Sequence, residues 1–150
     1  METIKLPLTP LTNELDQWIL SETHSLVSVL DGYLQAYHIE AATKVLIEFV
    51  DKLTNWYVRR SRRRFWSEGF DADKVSAYMT LFEVLQTYIK ILAPFAPFTT
   101  EKIWLDLQKF VATHGEQQLS IHLQYRPLVS KRYIHEELME EIAVVRKVIK

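Results

Sequence analysis

Five arginines fill six consecutive positions of this chain, Arg59, Arg60, Arg62, Arg63 and Arg64, with only Ser61 between them. Trp56 and Tyr57 precede the run, and Phe65 and Trp66 follow it. A guanidinium grips phosphate through a planar fork and stacks on flat ring systems. Unpaired RNA bases stack on aromatic rings or guanidinium planes, so cations interleaved with rings suit a single-stranded loop. The same residues also describe a solvated basic helix end, where cations offset the negative end of the helix dipole. A third reading is a docking patch for an acidic protein. Charge pattern by itself leaves all three open.

No other constellation carries comparable chemistry. The five histidines, at positions 24, 38, 114, 122 and 135, lack the paired spacing of a metal site, and there is no cysteine to supply a thiolate ligand, a disulfide or a thiol nucleophile. Ser25 and Ser61 have no sequence partner that would activate a hydroxyl. There is no glycine-rich phosphate loop. No catalytic residue, no metal and no cofactor is therefore expected in this chain. The formal net charge of −1 confines any nucleic-acid function to a local patch. The longest uninterrupted apolar stretch runs from Ile91 to Phe98 and contains two prolines, far short of the roughly 20 apolar residues needed to span a bilayer. Absence of cysteine and of a secretory leader fits a cytoplasmic protein; no membrane contact is expected, and the expected state is a monomer.

The elements that must position the arginines are helical. The chain has 150 residues, 48% of them apolar, with only three glycines and five prolines; such a composition suits one bundle rather than a many-turned sandwich. An extended, proline-containing lead over 1–13 precedes an Asn13 N-cap. A first helix then carries Leu15, Trp18, Ile19, Leu26, Val29, Leu30, Tyr33 and Tyr37 on one face. A tight connection near 36–39 folds a second helix back, with Ile39, Ala42, Leu46, Phe49, Leu53 and Tyr57 in line, and Gly69 stops it after about Trp66. Asp71 caps a third helix, whose stripe is Val75, Tyr78, Met79, Phe82, Leu85, Ile89 and Leu92. A fourth follows Thr99, bears Ile103, Trp104, Leu107, Phe110 and Val111, and ends near His114–Gly115. Residues 116–133 read as irregular, with an extended piece at 120–125, and a last helix occupies 135–150 with Leu138, Ile142, Val145 and Ile149 in line. That helix has no cap, which predicts a coding sequence cut within it. The expected architecture is all-α: an antiparallel bundle of four main helices over 14–115, with a C-terminal segment, 116–150, packed on it.

Helical phase sorts the arginines. At about 100° per residue, Arg60 and Arg64 continue the line of Leu46, Leu53 and Tyr57 and point at the bundle. There they require acids such as Asp16 or Asp106, because unpaired charge at a core edge is costly. Arg59, Arg62 and Trp66 fall on the opposite, solvent side. With Arg63, Asn13 and Trp18 they form the expected RNA-facing rim, whereas Arg60, Arg64, Trp56 and Tyr57 are expected to be structural. The hairpin places the start of the first helix beside the end of the second.

The blocks Leu15-Asp-Gln-Trp-Ile-Leu-Ser21, Ala41-Ala42 and Phe49-Val-Asp-Lys-Leu-Thr-Asn-Trp-Tyr-Val-Arg-Arg-Ser-Arg-Arg-Arg-Phe-Trp66, followed by Leu81-Phe-Glu-Val-Leu85 and Leu92-Ala-Pro-Phe-Ala-Pro-Phe-Thr-Thr-Glu101, resemble the anticodon-binding bundle of isoleucyl-tRNA synthetases. The resemblance covers about residues 14–104. It implies an RNA partner, the anticodon stem-loop of isoleucine tRNA, and a larger ATP- and Mg-dependent ligase of which this bundle is one part. Valyl, leucyl and methionyl relatives share the bundle but differ where this chain has Trp-Tyr-Val-Arg-Arg-Ser. The nucleotide-binding signatures of the family, His-Ile-Gly-His and Lys-Met-Ser-Lys-Ser, do not occur here, so the resemblance carries no catalytic role to any residue of this chain.

Overall fold

A computed structural model describes residues 13–69, 71–111 and 120–149. Asn13 is extended, and its Oδ1 accepts the Leu15 backbone N–H at 2.9 Å, which starts helix α1, Glu14–Gln35. Tyr37 closes that helix in the left-handed region, φ 57°, with the His38 N–H donating to Tyr33 O at 2.8 Å. This is a C-terminal cap built on a residue that dislikes it. The chain turns back at once into α2, Ile39–Asp51, continued by a π-helical segment, Lys52–Val58, and by α3, Arg62–Trp66. Gly69, at φ 80°, makes the next turn. The Oδ1 of Asp71 accepts the Lys74 N–H at 2.7 Å and starts α4, Ala72–Leu92. Helix α5, Pro97–Val111, begins two residues before the expected start, because proline lacks only an N–H that the first helical turn leaves unused. Its expected end near His114–Gly115 lies outside the described residues. Helix α6 spans Glu136–Val148.

Among the described residues there is no strand. The piece expected to be extended, 120–125, instead forms a 3₁₀ turn over Ile121–Leu123. Glu101 of α5 accepts both the Ser120 hydroxyl and the Ile121 N–H at 3.0 Å, and Ser120 Oγ accepts the His122 N–H. Its alternating polarity buries Ile121 alone; Leu123 and Tyr125 stay exposed.

Helix α1 is the axis of the bundle. It packs against α2, α4, α6 and a second 3₁₀ turn, Lys131–Tyr133, so that Trp18, Ile19, Leu20, Val27 and Leu30 are fully buried. The all-round burial of Asp16 to His24, Gln17 excepted, exceeds the single stripe that its spacing predicts. The second-helix stripe is buried as expected from Ala42 to Tyr57. The third-helix stripe is buried only in part: Ile89 is buried and Leu85 and Leu92 pack on the core, but Val75 and Tyr78 are exposed, and the inner face also takes in Ala77, Thr80, Val84, Thr87, Tyr88 and Ile91. Small and hydroxylated side chains let α4 approach α1 closely, and a count of bulky apolar residues misses such a face. Trp104 on α5 joins Ile89, Ala93 and Ile121 in a separate small core.

Candidate nucleic-acid interface

The junction of α1, α3 and α4 is built on one arginine. Arg64 donates from Nη1 and Nη2 to the two carboxylate oxygens of Asp16, at 2.8 and 2.7 Å, and from Nε and Nη2 to those of Asp73, both at 2.7 Å. Asp16 is fully buried and also accepts the Tyr57 hydroxyl at 2.8 Å and the Ser76 hydroxyl at 3.1 Å. Every lone pair of a carboxylate taken from water thus has a donor, which is the condition for burying one. Burial, then the neighbouring Asp16 charge, pushes the Tyr57 phenol far above its usual range. Hydrogen bonding to Asp16 holds the Arg64 guanidinium even more firmly charged than normal. Arg64 is therefore a bolt between three helices, with Asp16 as the acid that the sequence offered; Asp106 pairs instead with Lys102 and Lys109. Asp73, its second carboxylate, escaped the sequence reading because it stands as an ordinary first-turn acid of α4.

The same junction fixes geometry at the rim. Asp16 and Arg64 are in contact, so the start of α1 and the end of α3 lie at one end of the bundle. Arg59, Arg60, Arg62 and Arg63 are exposed on the outer side, and among the described residues none is paired with a carboxylate. The Arg62 guanidinium lies 4.6 Å from the centroid of the Trp66 ring, which is 70% exposed. Lys74 Nζ donates to Ser67 O at 2.6 Å and ties the turn after Trp66 to α4. Four cations and an open indole stand together on a rigid base.

Two sequence expectations for this region need correction. Arg60 does not face the bundle; it is exposed, with its guanidinium 3.9 Å from the Trp56 ring centroid. The cause is the π-helical segment. Wider turns admit an extra residue, so the buried positions recur every four residues as Phe49, Leu53, Tyr57, Ser61 and Phe65. Ser61, wholly buried, takes the inward place that a 3.6-residue count assigns to Arg60. Trp18 is likewise not at the surface: its side chain has no exposure and belongs to the core. Asn13 remains partly exposed at the start of α1, with its carboxamide oxygen spent on the cap.

The family described as the anticodon-binding domain of tRNA ligase matches residues 16–150. The chain belongs to that family. It is 41% identical over 138 residues to an isoleucine–tRNA ligase of Clostridium tetani, covering 92% of this chain and 13% of that protein. With the isoleucine–tRNA ligase of Dehalococcoides mccartyi it shares 46% identity over 135 residues, 90% of this chain and 13% of the other. The corresponding enzyme of Thermobifida fusca is 40% identical over 135 residues. The anticodon-binding domain thus spans about an eighth of the length of these relatives. An acidic-protein docking module finds no support in these matches, nor does a valyl, leucyl or methionyl relative. Among the described residues no three His, Asp or Glu side chains are placed to hold a metal ion, and no helix is long and apolar enough to cross a membrane.

Proposed function

We propose that this domain holds the anticodon stem-loop of isoleucine tRNA while other parts of an isoleucine–tRNA ligase, using ATP and Mg, carry out the aminoacylation. The observation that carries the reading is the set of exposed arginines beside Trp66, without a carboxylate partner among the described residues, on a chain whose relatives bear that enzyme's name. Arg59, Arg62 and Arg63 meet loop phosphates, Trp66 stacks an unpaired base, and Asn13 borders the loop. Arg60 joins this outward set, and Trp18 leaves it because a buried indole has no face to offer RNA. Arg64, Tyr57 and Trp56 serve the base on which the contacts stand. The domain works as a monomer, in the cytoplasm, with the remainder of the ligase as its other partner.

The chain carries neither nucleotide-binding signature of the family, and in this reading the domain catalyses nothing by itself. Binding of an isoleucine tRNA anticodon hairpin, set against the same stem closed without an unpaired loop, tests the reading. Tighter binding of the looped RNA supports it, and equal binding of both overturns it. ATP–pyrophosphate exchange with isoleucine, in a preparation free of host synthetase, should stay at background.

A further inference from the structure

Helix α6 reaches the segment that leads into the arginines through Arg146. Arg146 donates from Nη2 to Asp51 Oδ2 at 3.2 Å, immediately before the π-helical segment, and Asp51 Oδ1 accepts the Asn55 amide at 2.7 Å. The Arg146 guanidinium carbon also lies 5.7 Å from the Trp56 ring centroid and 6.0 Å from that of Trp18. Trp56 is the ring on which Arg60 rests at 3.9 Å. Among the described residues neither indole N–H, Trp18 or Trp56, has a hydrogen-bond acceptor, so packing and the nearby guanidinium groups orient these rings. Helix α6 itself is pinned at two points. At its start the His135 N–H donates to Ser21 Oγ, whose hydroxyl donates to Tyr133 O. Leu138, Met139 and Ile142 follow on the core, and beyond them Val144, Val145 and Val148 are exposed. In that far half, Arg146 is the half-buried side chain that turns back to the bundle.

We infer that Arg146 is a positioning residue for RNA binding: from α6 it fixes Trp56 and the π-helical segment, and so presets the exposed arginines without touching RNA. A planar guanidinium suits the place because it satisfies a carboxylate and lies against rings at the same time, which a lysine ammonium does not. Presetting matters because a free arginine gives up much rotamer freedom when it binds, and ordering it beforehand removes that cost from the binding step. The inference rests on the RNA-binding reading above, although its structural half stands apart from it.

The test uses the 150-residue chain with Arg146→Ala and Arg146→Lys, a fluorescein-labelled RNA hairpin with an unpaired loop, and amide hydrogen exchange over residues 52–66. Arg146→Ala should weaken binding roughly 2- to 10-fold at every salt concentration. Its salt dependence should equal that of the unchanged chain, because no phosphate contact is lost, while exchange over 52–66 accelerates. Arg146→Lys, which keeps the charge facing Asp51 but not the stacking, should fall between. Unchanged affinity with unchanged exchange overturns the inference. A flattened salt slope also overturns it, by making Arg146 a direct phosphate contact. If the unchanged chain fails to bind the hairpin, the functional reading fails instead. Exchange then decides alone: acceleration confined to 52–66 supports the strut, and acceleration everywhere or nowhere rejects it.

Discussion

At the scale of single residues, the decisive contrast lies between Arg64 and its four neighbours. Asp16 is buried with two carboxylate oxygens committed to Arg64 and further donors from Tyr57 and Ser76. Removing one side of such a pair strands the other. Asp16→Ala or Arg64→Ala should therefore lower unfolding free energy by about 3–5 kcal/mol. Tyr57→Phe removes one hydrogen bond to a charged group and should cost about 1–3 kcal/mol. Urea titration measures all three, and a loss under 1 kcal/mol for Asp16→Ala would contradict the bolt. His24 offers a pH-dependent check. Burial, then the positive charge of Arg132, holds it below the usual value of 6.5. It accepts the Ser130 N–H and stacks on Tyr133 at 5.1 Å in the neutral form. Its unfolded pKa is the higher one, so its share of stability is complete above pH 6.5 and falls as pH drops through 6.5 toward the folded value. His24→Gln should flatten that acid-side decline in a series of melts; an unchanged decline would place its cause elsewhere.

At the scale of elements, one interruption of regular helix governs the site. Most of the fold is legible in the sequence because capping and hydrophobic period agree: Asn13, Gly69 and Asp71 mark ends, and the stripe from Ala42 to Tyr57 marks an inner face. The π-helical segment is invisible to that procedure, since nothing in Lys52–Val58 signals a wider turn, and a regular count then misassigns Arg60 while still finding Arg64. Trp18 was misplaced for another reason: proximity of a helix start to the rim says nothing about which way one ring points. The inner face of α4 is legible only at Ile89, Leu85 and Leu92, because threonine and alanine do not register as core. The turns give a quantitative test of this level. Tyr37 is 87% exposed at φ 57°, so Tyr37→Gly relieves left-handed strain and loses little packing. It should raise stability by up to about 1 kcal/mol. Gly69→Ala, at φ 80° with open space around the new methyl, should lower it by about 1–2 kcal/mol. Opposite signs in a denaturant comparison are expected; the same sign for both would contradict the turn assignments.

At the scale of the whole molecule, a domain of net charge −1 gathers five arginines at one end and, among the described residues, pairs only the inward one of those five, Arg64, with carboxylates. Sequence blocks identify the anticodon-binding bundle as a whole, and helical phase separates Arg64 from Arg59 and Arg62, whereas the three-dimensional arrangement is needed to move Arg60 to the open set. Stability and binding should therefore divide cleanly among adjacent residues. Arg59→Ala, Arg62→Ala and Arg63→Ala should melt like the unchanged chain. The measurement that bears most directly on the central claim is salt-titrated binding of the looped RNA hairpin to the unchanged chain, Arg62→Ala and Trp66→Ala, begun at low salt. For Arg62→Ala the slope of log affinity against log salt should flatten by about 0.7 for each phosphate contact removed. For Trp66→Ala the slope should hold while affinity falls by roughly 1–3 kcal/mol, the worth of one stacked base. Loss of folding in either variant, or slopes and affinities indistinguishable from those of the unchanged chain, would contradict the assignment of this rim to RNA.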